Sequence, residues 1–147
     1  MATFNKYNQF VADLAGKVHD LLGTSGSTAD VLKVMLSNTA PNTSTHAVRA
    51  DATEISGGNG YTSGGATVTL VGSASGGTFT AAGTDIVFTA SGGSIGPFRY
   101  AILFNDTPTS PADPLIAWWD YGSSITLADT EQLVVDFDGT NGIFTLT

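Results

Sequence analysis

Residues 92–96 read Gly-Gly-Ser-Ile-Gly, the G-x-S-x-G spacing that presents a nucleophilic serine on the sharp turn of a serine hydrolase. That chemistry needs a strand before the serine, a helix after it, and an acid and then a histidine further along the chain. Pro97 and the alternating segment FRYAILFND follow instead, and both histidines, His19 and His46, precede Ser94. Triads on other folds use other orders, but His19 falls in a helical pattern and His46 beside a Thr- and Asn-rich loop. Ser94 is therefore read as part of a glycine-permitted bend at strand entry, and no catalytic residue is assigned.

Three other clusters have the residue types for binding. GGNGYTSGG (57–65) is glycine-rich like a phosphate-cradling loop, but it lacks the G-x-G-x-x-G spacing, the Lys-Ser/Thr pair and a following helix. It reads as a loop tip in which Asn59-Gly60 supplies positive φ angles. Asp136, Asp138 and Asn141 in VDFDGTNG are oxygen ligands at the close spacing of calcium loops, yet no glutamate closes a twelve-residue loop. Asp-Gly and Asn-Gly are also ordinary turn pairs, so these three are metal candidates against a plain turn. Trp118, Trp119 and Tyr121, with Phe98, Tyr100 and Phe104, could stack a sugar, and Asp106 and Asp120 could hold its hydroxyls. Adjacent strand residues point to opposite faces, so at most one of the two tryptophans joins any one platform. A core or subunit interface accounts for the same residues.

Composition sets what must position these groups. The 147 residues make one domain's length, and the charged share of 12% is about half the usual one. Twenty-one Thr, 13 Ser and 18 Gly take over the surface and the turns, a mix that suits strands. Net charge is −8, with eight acids and a single base, Arg99, after residue 73. The lack of basic clusters argues against nucleic acid as a partner. No cysteine is present, so disulfides and thiolate metal sites are excluded, and no cofactor is called for. No apolar run reaches the roughly 18 residues of a membrane span, and the polar N-terminus lacks a signal-peptide pattern. The expectation is a chain made in the cytoplasm with no membrane partner.

The spacing of Tyr7, Val11, Leu14, Val18 and Leu21 predicts an amphipathic helix over residues 4–22, widened by Phe10 and Leu22, with Asp13 on the polar side. Gly23 stops it and GTSGST makes a flexible connector. Strands are predicted at VLKVMLS, at HAVRADATEI with Val48 and Ala50 inward, and at ATVTLVGSAS with Val68, Leu70 and Gly72 inward. TFTAAGTDIVFTAS turns near Gly83. PFRYAILFND puts Phe98, Tyr100, Ile102 and Phe104 on one side, and the three prolines of DTPTSPADP end it. PLIAWWDYG, SITL, EQLVVDF and GIFTLT follow, the last two joined as a hairpin by DGTNG. The expected fold is mainly β, a β-sandwich or small barrel preceded by one N-terminal amphipathic α-helix: a helical segment over 1–23 and a β domain over 30–147, compact as one unit.

Across nearly the whole chain, FNKYNQF, LKVMLSNTAP, EISGGNGYTSGG, GGSIGPFRYAILFND, PLIAWWDYGSSITL and VDFDGTNG resemble a family of small tailed-bacteriophage virion proteins, most like a capsid decoration or cement protein. The resemblance transfers no active-site residue. It implies a non-enzymatic protein on the outer capsid surface of the virion, a small β-rich homo-oligomer, as a trimer in the habit of such proteins, that binds the major capsid protein lattice. Interface candidates are Phe4, Tyr7, Phe10, Val11 and Leu14 in the N-terminal segment, then Trp118, Trp119 and Arg99, whose guanidinium is expected to pair within the subunit or across an interface. Two alternatives stay open: a tail-associated component (tube, baseplate or fibre), and a carbohydrate-binding surface module whose partner is a glycan.

Overall fold

The computed structural model describes residues 2–23 and 28–147, so Met1 and most of the GTSGST connector lie outside the described residues. The chain is mainly β with antiparallel sheets and one short N-terminal helix. In chain order the elements are β1 (Asn5–Lys6), α1 (Asn8–Ala15), β2 (Leu32–Ser37), β3 (Ala66–Val68), β4 (Leu70–Ser75), β5 (Thr78–Gly83), β6 (Ile86–Thr89), β7 (Ile95–Asn105), β8 (Leu115–Leu127), β9 (Gln132–Val135) and β10 (Phe144–Leu146). A five-stranded sheet runs β1-β8-β7-β2-β3, a three-stranded sheet β10-β5-β4, and β6 pairs with β9 alone. No sheet closes on itself among the described residues, so the small barrel is not formed.

The β7–β8 pair is the spine. Ile102, Leu103 and Phe104 are fully buried in succession because both faces of this strand are covered. The single-sided alternation expected for Phe98 to Phe104 breaks in the middle. Phe98 pairs with Ile125 but Tyr100 pairs with Asp120, so Tyr121 to Ser124 bulge out opposite Arg99 alone. A bulge of that size changes which face the side chains meet. Phe98 joins Leu103 in the larger core, while Ile102 and Phe104 build a smaller core on the other face with Met35, Leu115 and Tyr7.

The N-terminal helix is shorter than its periodicity predicts. Asn5 and Lys6 pair with Trp118 and Ala117 of β8, and Tyr7 N–H donates to the Ile116 carbonyl at 3.1 Å. This ladder takes backbone groups that a helix from residue 4 would use. Asn8 N–H is met by the Thr43 carbonyl, and Lys17, with φ of 60°, ends the helix after Gly16. The buried face is rotated accordingly: Phe10 and Asp13 are inside, and Val11 is 52% exposed. Tyr7 enters the smaller core and Phe10 the larger, so the N-terminal segment closes both faces of the five-stranded sheet.

Three further expectations change. HAVRADATEI is not a strand: the Asp51 carboxylate accepts the Ala47 and Val48 N–H groups at 2.8 and 3.0 Å, winding Arg49–Asp51 into a 3₁₀ turn that leaves Ala50 exposed. ATVTLVGSAS keeps its inward Val68 and Leu70, but it divides at Thr69, β3 remaining on β2 and β4 leaving for β5. DGTNG turns through an Asp138–Gly142 bridge, yet the strands on either side are not a hairpin, since β9 pairs with β6 and β10 with β5. Each strand here finds its partner by burial, which turn chemistry alone does not dictate.

Two polar nodes fix loops to this frame. The buried Tyr61 hydroxyl accepts Leu36 N–H at 3.0 Å and donates to Glu54 Oε1 at 2.6 Å, continuing the edge of β2 beyond β3. Glu54 also accepts Gly64 N–H and pairs with Arg49. At the far end of β7, the Asn105 amide nitrogen meets His19 Nδ1 at 2.9 Å and Asp30 Oδ2 at 2.6 Å, tying the start and end of the helix-to-β2 connection together. Asn105 Oδ1 accepts Thr107 N–H, so the amide NH₂ is what faces the imidazole and Nδ1 is the acceptor.

Burial holds His19 below the ordinary histidine range despite the raising influence of Asp13 and Asp30. The unfolded chain therefore binds the proton more readily, and the stability His19 contributes is present above about pH 6.5 and lost as pH falls below it. Chemical denaturation at pH 7.5 and 5 should show lower stability at the lower pH, and His19→Gln should flatten that difference. For the other node, Tyr61→Phe leaves Leu36 N–H without its acceptor and is expected to cost about 1–3 kcal/mol, read as a lower urea midpoint at unchanged slope.

Candidate functional site

Ser94 lies exposed just before β7, its carbonyl accepting the Asn59 side-chain amide at 2.9 Å, and a strand leaves it where an elbow needs a helix. His19 sits against Asn105, the last residue of that eleven-residue strand, roughly 30 Å away at the usual rise per residue. His46 is also at that end, next to Ala47, whose carbonyl accepts Leu115 N–H. Neither imidazole reaches Ser94. The loop at 57–65 turns at Asn59 and Gly60, with φ of 52° and 93°, between reciprocal bonds of Gly58 and Tyr61, as its Asn-Gly pair predicts.

Beside the register break between β7 and β8 lies an open and mainly apolar cleft of about 560 Å³. Phe98 and Leu36 line it from β7 and β2, Trp119 and Phe4 from β8 and the N-terminus, and Leu133 and Phe137 from β9 and the residues after it. Trp119 is wedged between Phe4 and Phe137, with ring centroids at 5.7 and 5.8 Å. Tyr121, 59% exposed, and Val134, 51% exposed, also border the cleft, and Val134 stands directly opposite the equally exposed Val87 in the β6–β9 pair.

Arg99 marks the cleft where the chain bulges. Its Nε and terminal nitrogen donate to the two Asp120 oxygens at 2.7 and 2.9 Å, and Gly122 N–H donates to the same carboxylate at 2.7 Å. The Arg99 hydrogen bonds first, and the Gly122 N–H second, hold the Asp120 carboxyl below the usual carboxylate range. The guanidinium is therefore paired within the subunit. At the opposite wall Asp138 accepts Thr140 and Asn141 N–H groups and the Asn141 side-chain amide, at 2.7 to 3.0 Å, and these bonds likewise lower its pKa. Asp138 and Asn141 thus bond to each other in a turn. Asp136 borders the cleft, and no group of three metal-ligating side chains occurs among the described residues.

The candidates named from the sequence are distributed unevenly. Phe4, Trp119, Arg99, Asp136 and Asp138 converge on the cleft. Tyr7 and Phe10 are buried in the chain's own cores, Leu14 packs against the larger one, and Val11 alone of the helical candidates stands clear at the surface. Trp118 points to the opposite face, as its neighbour's position requires, and meets Tyr100 edge-on at 5.9 Å. Leu133, Val134 and Phe137 also line the cleft; their alternation in EQLVVDF identifies a strand but not what that strand faces. The chain has no match among family models, curated proteins or solved structures.

Arg99→Met should raise the Asp120 pKa toward the ordinary value of about 3.9, read by carboxyl-carbon NMR titration. An unchanged titration would assign the depression to the Gly122 N–H instead.

Proposed function

We propose that this chain is a non-enzymatic virion structural protein that decorates or cements a phage capsid by binding the coat-protein lattice. The observation that carries the reading is the apolar cleft bordered by exposed Tyr121 and Val134, at which Arg99 and Asp138 already hold partners within the chain. Arg99 and Asp120 neutralise each other, and Asp138 is engaged by its own turn. Such a site offers apolar contact area, with Asp136 as its one unbonded carboxylate and no histidine or cysteine beside it among the lining residues, which supports binding over chemistry. Trp119 is packed between Phe4 and Phe137 instead of lying open as a flat platform, which favours an apolar protein segment over a sugar. The finer fold belongs to the same reading: residues of all three sheets share the larger core, so we take the layering to be a β-sandwich.

A lattice multiplies a modest contact many times, so a cleft of this size suffices where a soluble pair would need a larger interface. Heads assembled without the protein are expected to release their genome at a lower temperature, with stability restored when the purified protein is added. Equal stability with and without it overturns cementing. Val134→Asp changes an exposed residue, so it should leave the melting temperature nearly unchanged while abolishing co-sedimentation with heads. Wild-type binding by that variant removes the cleft as the contact, and imaging that finds the protein on tails removes the capsid assignment.

A further inference from the structure

Residues 55–84 contain no Asp, Glu, Lys, Arg, His or Pro, a run of thirty in a chain of net charge −8. Those residues include the whole β4–β5 hairpin, and β4 is the last strand of its sheet. Edge strands are normally blunted by lysine, proline or a bulge, because their unpaired N–H and C=O groups template another strand. β4 has none of these, pairs with β5 without a register shift, and carries Val71 at 61% exposure on its outer face.

The geometry of the edge follows from its turn. Gly76 and Gly77, with φ of 58° and 84°, make a two-residue connection, which sets Ser75 and Thr78 as a hydrogen-bonded pair. Thr84 N–H donates to the Thr69 carbonyl at the other end, in the same phase. Bonded positions therefore fall on Thr69, Val71, Ser73 and Ser75, and Leu70, Gly72 and Ala74 direct their N–H and C=O groups away from β5. No strand lies beside that edge among the described residues; the Leu21 carbonyl packs on the sheet face at Gly72, where a Cβ would displace it.

We propose that β4 pairs antiparallel with β4 of a second copy of this chain, joining two three-stranded sheets across a twofold axis. Charge selects the occupant. Two copies at −8 repel wherever their carboxylates approach within a Debye length of about 8–10 Å, and the uncharged hairpin is the surface on which they meet with least repulsion. Symmetry matches as well, since an antiparallel strand pair is isologous. Centred on Gly72, it sets Gly72 against Gly72 of the second copy, Leu70 against Ala74, and Val71 beside Ser73. The pairing does not rest on coat binding, uses a different surface from the cleft, and makes the oligomer a dimer where the resemblance implies a trimer.

Sedimentation equilibrium of the whole chain tests it. At about 100 µM, roughly a hundredfold above a micromolar dissociation constant, the expected mass is that of two copies. Val71→Lys adds a charge to the outer face, and Ala74→Pro removes an edge N–H that the subunit itself does not use. Both should return the protein to one copy with the far-UV circular dichroism and melting curve of the folded subunit, whereas Val134→Asp should remain paired. A wild-type monomer at that concentration, a mass of three or more copies, or pairing that survives both edge variants would overturn the proposal.

Discussion

The pairing of β7 with β8 governs the rest of the molecule through the widest of its three register shifts, between Phe98 and Tyr100. Where Arg99 stands alone against four residues of β8, the two strands cannot keep a common phase, so side chains before and after the break meet different faces. Phe98 is thereby sent to the larger core and Ile102 and Phe104 to the smaller. The same break throws Tyr121 outward at the border of the cleft. The Arg99–Asp120 pair spans the irregularity with a bidentate bond, a geometry that fixes direction as well as distance. Partial exposure limits what that pair adds to stability, so its part is to orient the bulge, and burial on both faces holds the strands together.

Polar groups at the ends of this spine serve the loops. Asn105 occupies the last position of β7 with both amide functions used, linking His19, Asp30 and Thr107. Tyr61 does comparable service along β2, supplying a hydroxyl where the neighbouring strand has ended. In each case a buried backbone or side-chain group that no strand can reach is met by a side chain from a distant segment, as the interior demands. The outcome is a scaffold whose long connections are pinned to the strands by a few side-chain nodes.

Much of the strand content was legible because alternation and proline placement act locally. LKVMLS and FRYAILFN are strands as expected, although Phe98 leaves the face that Ile102 and Phe104 share; Val68 and Leu70 point inward, and Trp118 and Trp119 part to opposite faces as strand geometry requires. The misses share a different cause. Asn5 and Lys6 look helical in a sequence window, but β8 offers them a ladder. Asp51 turns HAVRADATEI by capping N–H groups four and three residues back, a local bond that a β pattern conceals. DGTNG has hairpin chemistry, but β9 pairs with β6 and β10 with β5, partners that its turn residues do not specify. The cleft was legible only in pieces: Phe4, Trp119, Arg99 and Asp138 stood out by type, while their meeting depends on strand pairings that no periodicity encodes.

The clasp formed by the N-terminal segment has a consequence in time as well as in space. Asn5 is matched to Trp118, and the side chain of Asn5 reaches the Trp118 carbonyl across 113 positions of sequence. Residues 5–7 can therefore take up their native contacts only after residues 116–118 exist. Both cores stay incomplete until then, since Tyr7 closes one and Phe10 the other. A topology this non-local belongs among slow folders, and the open edge of β8 stays exposed for as long as residues 5–7 have not met it.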